Sequence, residues 1–154
     1  MTPLFKKLNL KDHKDILVLN APESFRNELA AITPFVKVIE EDNLEAITFV
    51  LIFVTKKKAV DTTIKALAPK FKDDVVVWYC YPKASSKEYT CDFNRDNGWR
   101  VLGTHDLEGV RQVSIDQDWS ALRFRRIDYI KSFKRNKNMV LSVKGKRRVE
   151  DQKR

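Results

Sequence analysis

Asp15-Ile16-Leu17-Val18-Leu19-Asn20-Ala21-Pro22-Glu23-Ser24-Phe25 is the stretch whose reading decides the fold. Ile16 to Leu19 is an unbroken aliphatic run between polar residues, which suits a strand covered on both faces. Pro22 suits the first turn of a helix, where its missing N–H is not needed. Phe25, Leu29 and Ile32 then fall at i, i+4 and i+7, one stripe of a short helix that Pro34 helps to end. A strand running straight into a helix is where nucleotide-binding α/β domains hold a phosphate, on a Gly-rich turn that the backbone can bring close. This turn has no glycine, and the first of the chain's four is Gly98.

Working outward, Phe35 to Ile39 reads as a second, shorter strand, followed by the acidic turn Glu40 to Asn43. Ala46 to Val54 is the clearest central strand, rich in branched and aromatic residues. Thr55 is placed to cap the next helix, in which Val60, Ile64, Leu67 and Phe71 repeat at helical spacing and which Pro69 ends early. Val75 to Tyr81 is the following strand, stopped by Pro82. Residues 82–91 read as a polar loop, and 92–103 as a weak helix with Asp92 as its cap and Gly98 inside it. From Val110 the period becomes two, with a turn at Asp116-Gln117-Asp118, which predicts a β-hairpin. Ile127, Ile130 and Phe133 suggest a short helix. The expected fold is α/β: a three-layer, Rossmann-like sheet, mainly parallel, closed by a C-terminal antiparallel β-hairpin.

The chain has 154 residues, enough for one domain with a real core. Its longest apolar run, nine residues from Ala46 that include Thr48, falls short of the roughly 20 that a spanning helix needs, so no membrane association is expected. Cys80 and Cys91 lack metal-ligand or CxxC spacing and read as reduced thiols of a cytoplasmic protein, with no metal expected. The net charge of +9 is unevenly spread: residues 131–154 carry ten Lys and Arg against Glu150 and Asp151, while residues 1–130 are nearly neutral. The reading is a single domain over 1–135 and a basic, flexible tail over 136–154. Lys144, Lys146, Arg147 and Arg148 in that tail are the candidates for weak, sequence-independent nucleic-acid binding.

The end of the chain, with its antiparallel hairpin, resembles S-adenosylmethionine-dependent methyltransferases, as does Val75-Val76-Val77-Trp78-Tyr79-Cys80-Tyr81-Pro82-Lys83. Four segments also resemble a family of small bacterial proteins known only as a domain of unknown function. They are Val18 to Glu23; Phe53-Val54; Tyr81-Pro82-Lys83 with Arg95-Asp96; and, most specific, Trp119-Ser120-Ala121-Leu122-Arg123-Phe124. The resemblance spans about residues 8–126. It implies a reduced methyltransferase-like fold and brings no activity with it.

Ligands of open α/β sheets bind beyond the carboxyl ends of the strands. That rule selects Asn20, Glu23, Thr55, Lys56, Tyr81 and Lys83. The methyltransferase resemblance adds Glu40 or Glu41, at the place of the acid that holds the cofactor ribose. Lys83 with Ser85 and Ser86 offers a cation and hydroxyls for a phosphate or carboxylate. Asp116 and Asp118 are either an acid–base or cation pair or simply turn residues, and Trp119 either stacks on a ligand or packs on the sheet edge. His13 and His105 form no triad. Two readings stay open: a non-catalytic binding or interaction module that lacks the glycine-rich cofactor loop, or a small methyltransferase-like enzyme acting on a nucleotide-like or anionic metabolite. No cofactor is expected under the first, S-adenosylmethionine under the second. A homodimer through a sheet edge is compatible with both.

Overall fold

One six-stranded sheet organises the chain, in the order β2-β1-β3-β4-β6-β5. Its strands are β1 (Asp15–Leu19), β2 (Lys37–Ile39), β3 (Ile47–Phe53), β4 (Phe71–Pro82), β5 (Leu107–Ser114) and β6 (Trp119–Arg126). β2, β1, β3 and β4 are parallel, and β6 runs antiparallel to both β4 and β5. The helices are α1 (Pro3–Lys7), α2 (Arg26–Ile32), α3 (Lys57–Leu67), α4 (Arg100–Gly103) and α5 (Val143–Gln152). The computed structural model describes residues 1–94 and 96–152, apart from the side chain of Lys137. Arg95, quoted above in the family resemblance, lies outside the described residues. Among the described residues no helix is long and apolar enough to cross a membrane.

Alternation along β4 divides the core. Val76, Trp78 and Cys80 pack with Phe5, Phe25, Leu29 and Ile32 on the α1–α2 side. Val75, Val77, Tyr79 and Tyr81 pack with Val60, Ile64 and Leu67 of α3 on the other side. The α3 stripe is buried as its spacing predicts, and each such side chain contributes about 1.5–3 kcal/mol by leaving water. The α/β sheet, mainly parallel and closed by the β5–β6 hairpin, is the expected architecture.

Several local features differ from the expectation. α1 was not foreseen, although Thr2 caps it by accepting from Phe5 N and Pro3 opens it. Thr55 does not cap α3; Asp92, 35 residues further on, does so by accepting from Lys57 N at 2.7 Å. Among the described residues of that stretch Asp92 starts no helix of its own, and only Arg100–Gly103 is helical. Gly98 sits before it at φ +86°, a turn conformation that its missing Cβ permits. Phe71 opens β4 rather than ending α3.

The segment after residue 135, expected as a flexible tail, carries α5. Val140 and Val149 are buried in a third cluster with Ile127, Ile130 and Phe133. Three apolar residues that read as a lone short helix thus become the seat on which α5 docks. At Gly103 the chain comes so close that a Cβ would lie 2.0 Å from the Leu141 carbonyl oxygen.

Candidate functional site

The chain crosses from one side of β1 to the other between β2 and β3, so the topological switch lies at the ends of β1 and β3. Asn20, just past β1, has φ +60°. Asparagine tolerates this left-handed backbone better than most residues, and the turn thereby adopts a glycine-like conformation without glycine. Ala21 and Pro22 follow, then a 3-10 turn from Glu23 to Phe25 that delivers the Phe25 ring over the sheet.

That ring belongs to a row. Phe5–Phe25, Phe25–Phe53, Phe53–Trp119 and Trp119–Tyr89 stand 6.2, 5.0, 5.2 and 4.9 Å apart between centroids. These are ordinary aromatic contacts. A planar ligand inserted between two rings would need about 7 Å, two van der Waals contacts of about 3.5 Å each. The row therefore fills the strand ends on the α1–α2 side. Trp119 is 3 % exposed and packs as a core residue, with its indole N–H buried and unpaired.

The other strand-end candidates scatter. Asn20 and Glu23 are exposed. Glu40 follows β2 and forms an ion pair with Arg26 of α2. Thr55 contributes its carbonyl oxygen to Asp92 N at 3.2 Å. None of these four residues lines the cleft that opens past β4.

That cleft has a volume of about 630 Å³. Tyr81, Pro82 and Lys83 bring the end of β4 into it, and Tyr89, Cys91 and Phe93 of the following loop form its wall. Gln112 of β5 and Ser120 of β6 close it from the hairpin. Tyr81 and Lys83 are thus where the strand-end rule puts them. Ser86, rather than Ser85, lines the cleft, and Ser85 is exposed. The Lys83 ammonium donates to Ser114 Oγ at 2.6 Å, and the Gln112 amide donates to the Tyr81 hydroxyl at 3.2 Å. Ser86 Oγ donates to Asp118 at 2.8 Å and accepts from Tyr89 N at 3.1 Å, which fastens the loop to the hairpin turn. Burial raises the pKa of the half-buried Cys91 thiol, so it lines the wall as a neutral group.

Asp116 takes the turn role: its carboxylate accepts from Asp118 N at 2.8 Å and Trp119 N at 2.9 Å. Among the described residues no cluster of three His, Cys, Asp or Glu has metal-binding geometry. Sequence reasoning missed Gln112, Asn94 and Asn97, which also line the cleft. The one local signal was a pair of aromatics, Phe93 and Trp99, inside a polar stretch. Both are buried and pack edge to face 5.0 Å apart, anchoring the loop between them.

Two of the four basic candidates of the C-terminal segment are committed within the protein. Arg148 donates to the carbonyls of Ile127, Ile130 and Lys131 at 2.6–3.1 Å, and Lys144 pairs with Asp128 at 3.0 Å and Asp106 at 3.7 Å. Lys146 and Arg147 lie on the same helix, Arg147 exposed. A second cleft, of about 800 Å³, opens on the α4 side of the hairpin and is rimmed by Lys57, Arg100, Arg111 and Arg135.

No protein-family model matches the chain, and no curated protein matches it in sequence. Among solved structures it is similar to a SAM-dependent methyltransferase from Aquifex aeolicus, at 10% identity and a TM-score of 0.54, over 80% of this chain and 88% of that one. It is also similar to the N-methyltransferase NodS from Bradyrhizobium japonicum WM9, at 12% identity and a TM-score of 0.51, over 80% of this chain and 92% of that one. At such identities the likeness is one of fold. The chain has a methyltransferase-like Rossmann fold.

Proposed function

We propose that this protein binds a nucleotide-like, anionic small molecule in the cleft past the end of β4. The observation that carries the reading is that Lys83, Ser86 and Gln112 line this cleft together with Tyr81 and Tyr89. A flat, apolar body with an anionic group suits walls of that kind: aromatic sides exclude water, and a few placed polar groups fix orientation. Ser114 holds Lys83 at the sheet edge, which reduces the rotamer entropy lost when the ammonium meets an anion. In this reading the chain is a reduced member of its fold, of the kind that the small bacterial family resembled through Trp119 to Phe124 represents.

S-adenosylmethionine fits less well. The left-handed backbone at Asn20 suits a cofactor turn. The side chains do not: Glu40, at the place of a ribose-binding acid, is tied to Arg26, and the ring row occupies the crevice beside it. Methyl transfer is the second reading, supported by the likeness to two methyltransferase structures.

A thermal-shift titration separates the two. Expected are stabilisation by adenine or uridine nucleotides and an affinity at least about tenfold weaker in Lys83→Ala, the loss of one charge-assisted hydrogen bond of about 1.5–3 kcal/mol. Nucleotide binding equal in Lys83→Ala and the native chain would overturn the cleft. Stabilisation by S-adenosylmethionine and S-adenosylhomocysteine alone would put the second reading first.

A further inference from the structure

The cleft over the hairpin differs in charge from the rest of the domain. Among the described residues its rim holds four cations, Lys57, Arg100, Arg111 and Arg135, against one acid, Asp96, and Arg135 also donates to the carbonyls of Lys134 and Gly109 at 2.8 and 3.3 Å. The acids nearby relieve it little. Asp61 reaches Lys57 only at 3.8 Å with both side chains exposed, and Asp74 is taken by Arg125 through a bidentate pair at 2.6–3.2 Å. Arg111 stands directly opposite Arg123 across the β5–β6 ladder, a like-charge arrangement that costs stability. Arg123 itself lies on the other face of the sheet, beside Trp78, and does not line this cleft. The described lining of the cleft therefore carries a surplus of positive charge.

The floor is of another kind. Leu122, Phe124 and Trp99 line it, and Met139 lies on the rim with 55 % of its surface exposed, an adaptable thioether beside the cations. This cleft meets the nucleotide cleft at two shared residues, Asn97 and Gln112. Together they form a path of cations and amides over an apolar floor, ending against Tyr81 and Lys83.

We propose that this path binds single-stranded nucleic acid, its phosphates along Lys57, Arg100, Arg111 and Arg135 and one nucleotide entering the cleft at Lys83. The charge complementarity is that of a polyanion, and the apolar floor suits unpaired bases, which a duplex keeps stacked away. The last step, entry of one nucleotide, rests on the reading of the first cleft given above. Nucleic-acid binding thus moves from the C-terminal helix to this path between α4 and the hairpin.

The test is fluorescence polarisation of a labelled strand of about 12 uridines on the full chain, within the usual site size of such grooves. Expected are a log affinity that falls with log salt at a slope of about −3, the value for about four phosphates on a single strand, and weaker binding of a duplex of equal length. R100E/R111E should bind at least about tenfold more weakly, since each phosphate contact is lost and reversed. K146E/R147E on α5 should bind as the native chain does. R111E faces Arg123 and is compatible with folding; if the double variant melts early, K57Q/R100Q is read in its place. Equal binding by native chain and groove variants, or loss only in K146E/R147E, would overturn the proposal. Uridine monophosphate titrated into R100E/R111E distinguishes the two readings. An unchanged thermal shift keeps the nucleotide cleft even where strand binding fails, and strand binding lost in R100E/R111E without any monophosphate shift supports the groove while the cleft falls.

Discussion

Glu108 of β5 reaches Ser142, 34 residues away, and holds it with two hydrogen bonds: its carboxylate accepts from Ser142 N at 2.7 Å and from Ser142 Oγ at 2.6 Å, with Leu141 N adding a third at 2.9 Å. Ser142 Oγ in turn accepts from Gly145 N at 2.9 Å and caps α5. Glu108 is 1 % exposed, so one buried carboxylate takes the N–H groups of Leu141 and Ser142 just ahead of α5 and places negative charge at the helix's positive end. A side chain at position 145 would put its Cβ 2.7 Å from that carboxylate, which is why glycine stands there.

Glu108→Ala should therefore destabilise the fold by about 2–4 kcal/mol, because it strands buried donors rather than removing a matched pair. Denaturant unfolding measures it, and hydrogen exchange at Gly145 should show the loss of protection at α5. A chain ending at Arg135 should melt earlier still, since it uncovers Ile127, Ile130 and Phe133. Unchanged stability in both variants would mean that the docking of α5 contributes nothing.

The turn after β1 gives a second expectation. At φ +60° Asn20→Gly should be neutral to slightly stabilising, whereas Asn20→Val should cost about 1–2 kcal/mol, the penalty of a β-branched residue in the left-handed region. Thermal melts of the two variants decide it.

Arg111→Glu replaces a like-charge cross-strand pair with an opposite one facing Arg123. A gain of about 0.5–1 kcal/mol is expected, diminishing with salt. The same substitution should weaken strand binding, so stability and binding should move in opposite directions.

His13 has its pKa lowered, chiefly by burial and with Arg123 adding to it, while Asp12 and Asp15 oppose the shift. A depressed value means that the unfolded chain takes the proton more readily. Stability should be full above the ordinary histidine pKa of about 6.5 and fall as the pH drops through the lower folded value. His13→Gln should lose less on acidification between about pH 7 and pH 5, as melting temperatures across that range would show.

The two thiols should differ in reactivity. Cys80 is fully buried and Cys91 half-buried, and desolvation raises the pKa of both. With a thiol reagent near neutral pH, Cys91 should react slowly and Cys80 only after unfolding.

What the sequence determined by itself is the layered α/β core and its order along the chain. Ile16–Leu19, the stripe Val60, Ile64 and Leu67, and the alternation across β6 are local patterns, and burial of an apolar face leaves each of them one arrangement. The ends of β4, with Tyr81 and Lys83, followed from that order by the strand-end rule. Contacts between residues distant in sequence were decided only by tertiary structure. Asp92 caps α3 across 35 residues, Glu108 anchors Ser142 across 34, and Arg148 is drawn to the carbonyls around Ile130. A charged residue in a polar stretch carries no local sign of whether its partner is water or a distant backbone group. For that reason a segment that reads as a loose basic tail carries a helix, with Val140 and Val149 packed against Ile127, Ile130 and Phe133.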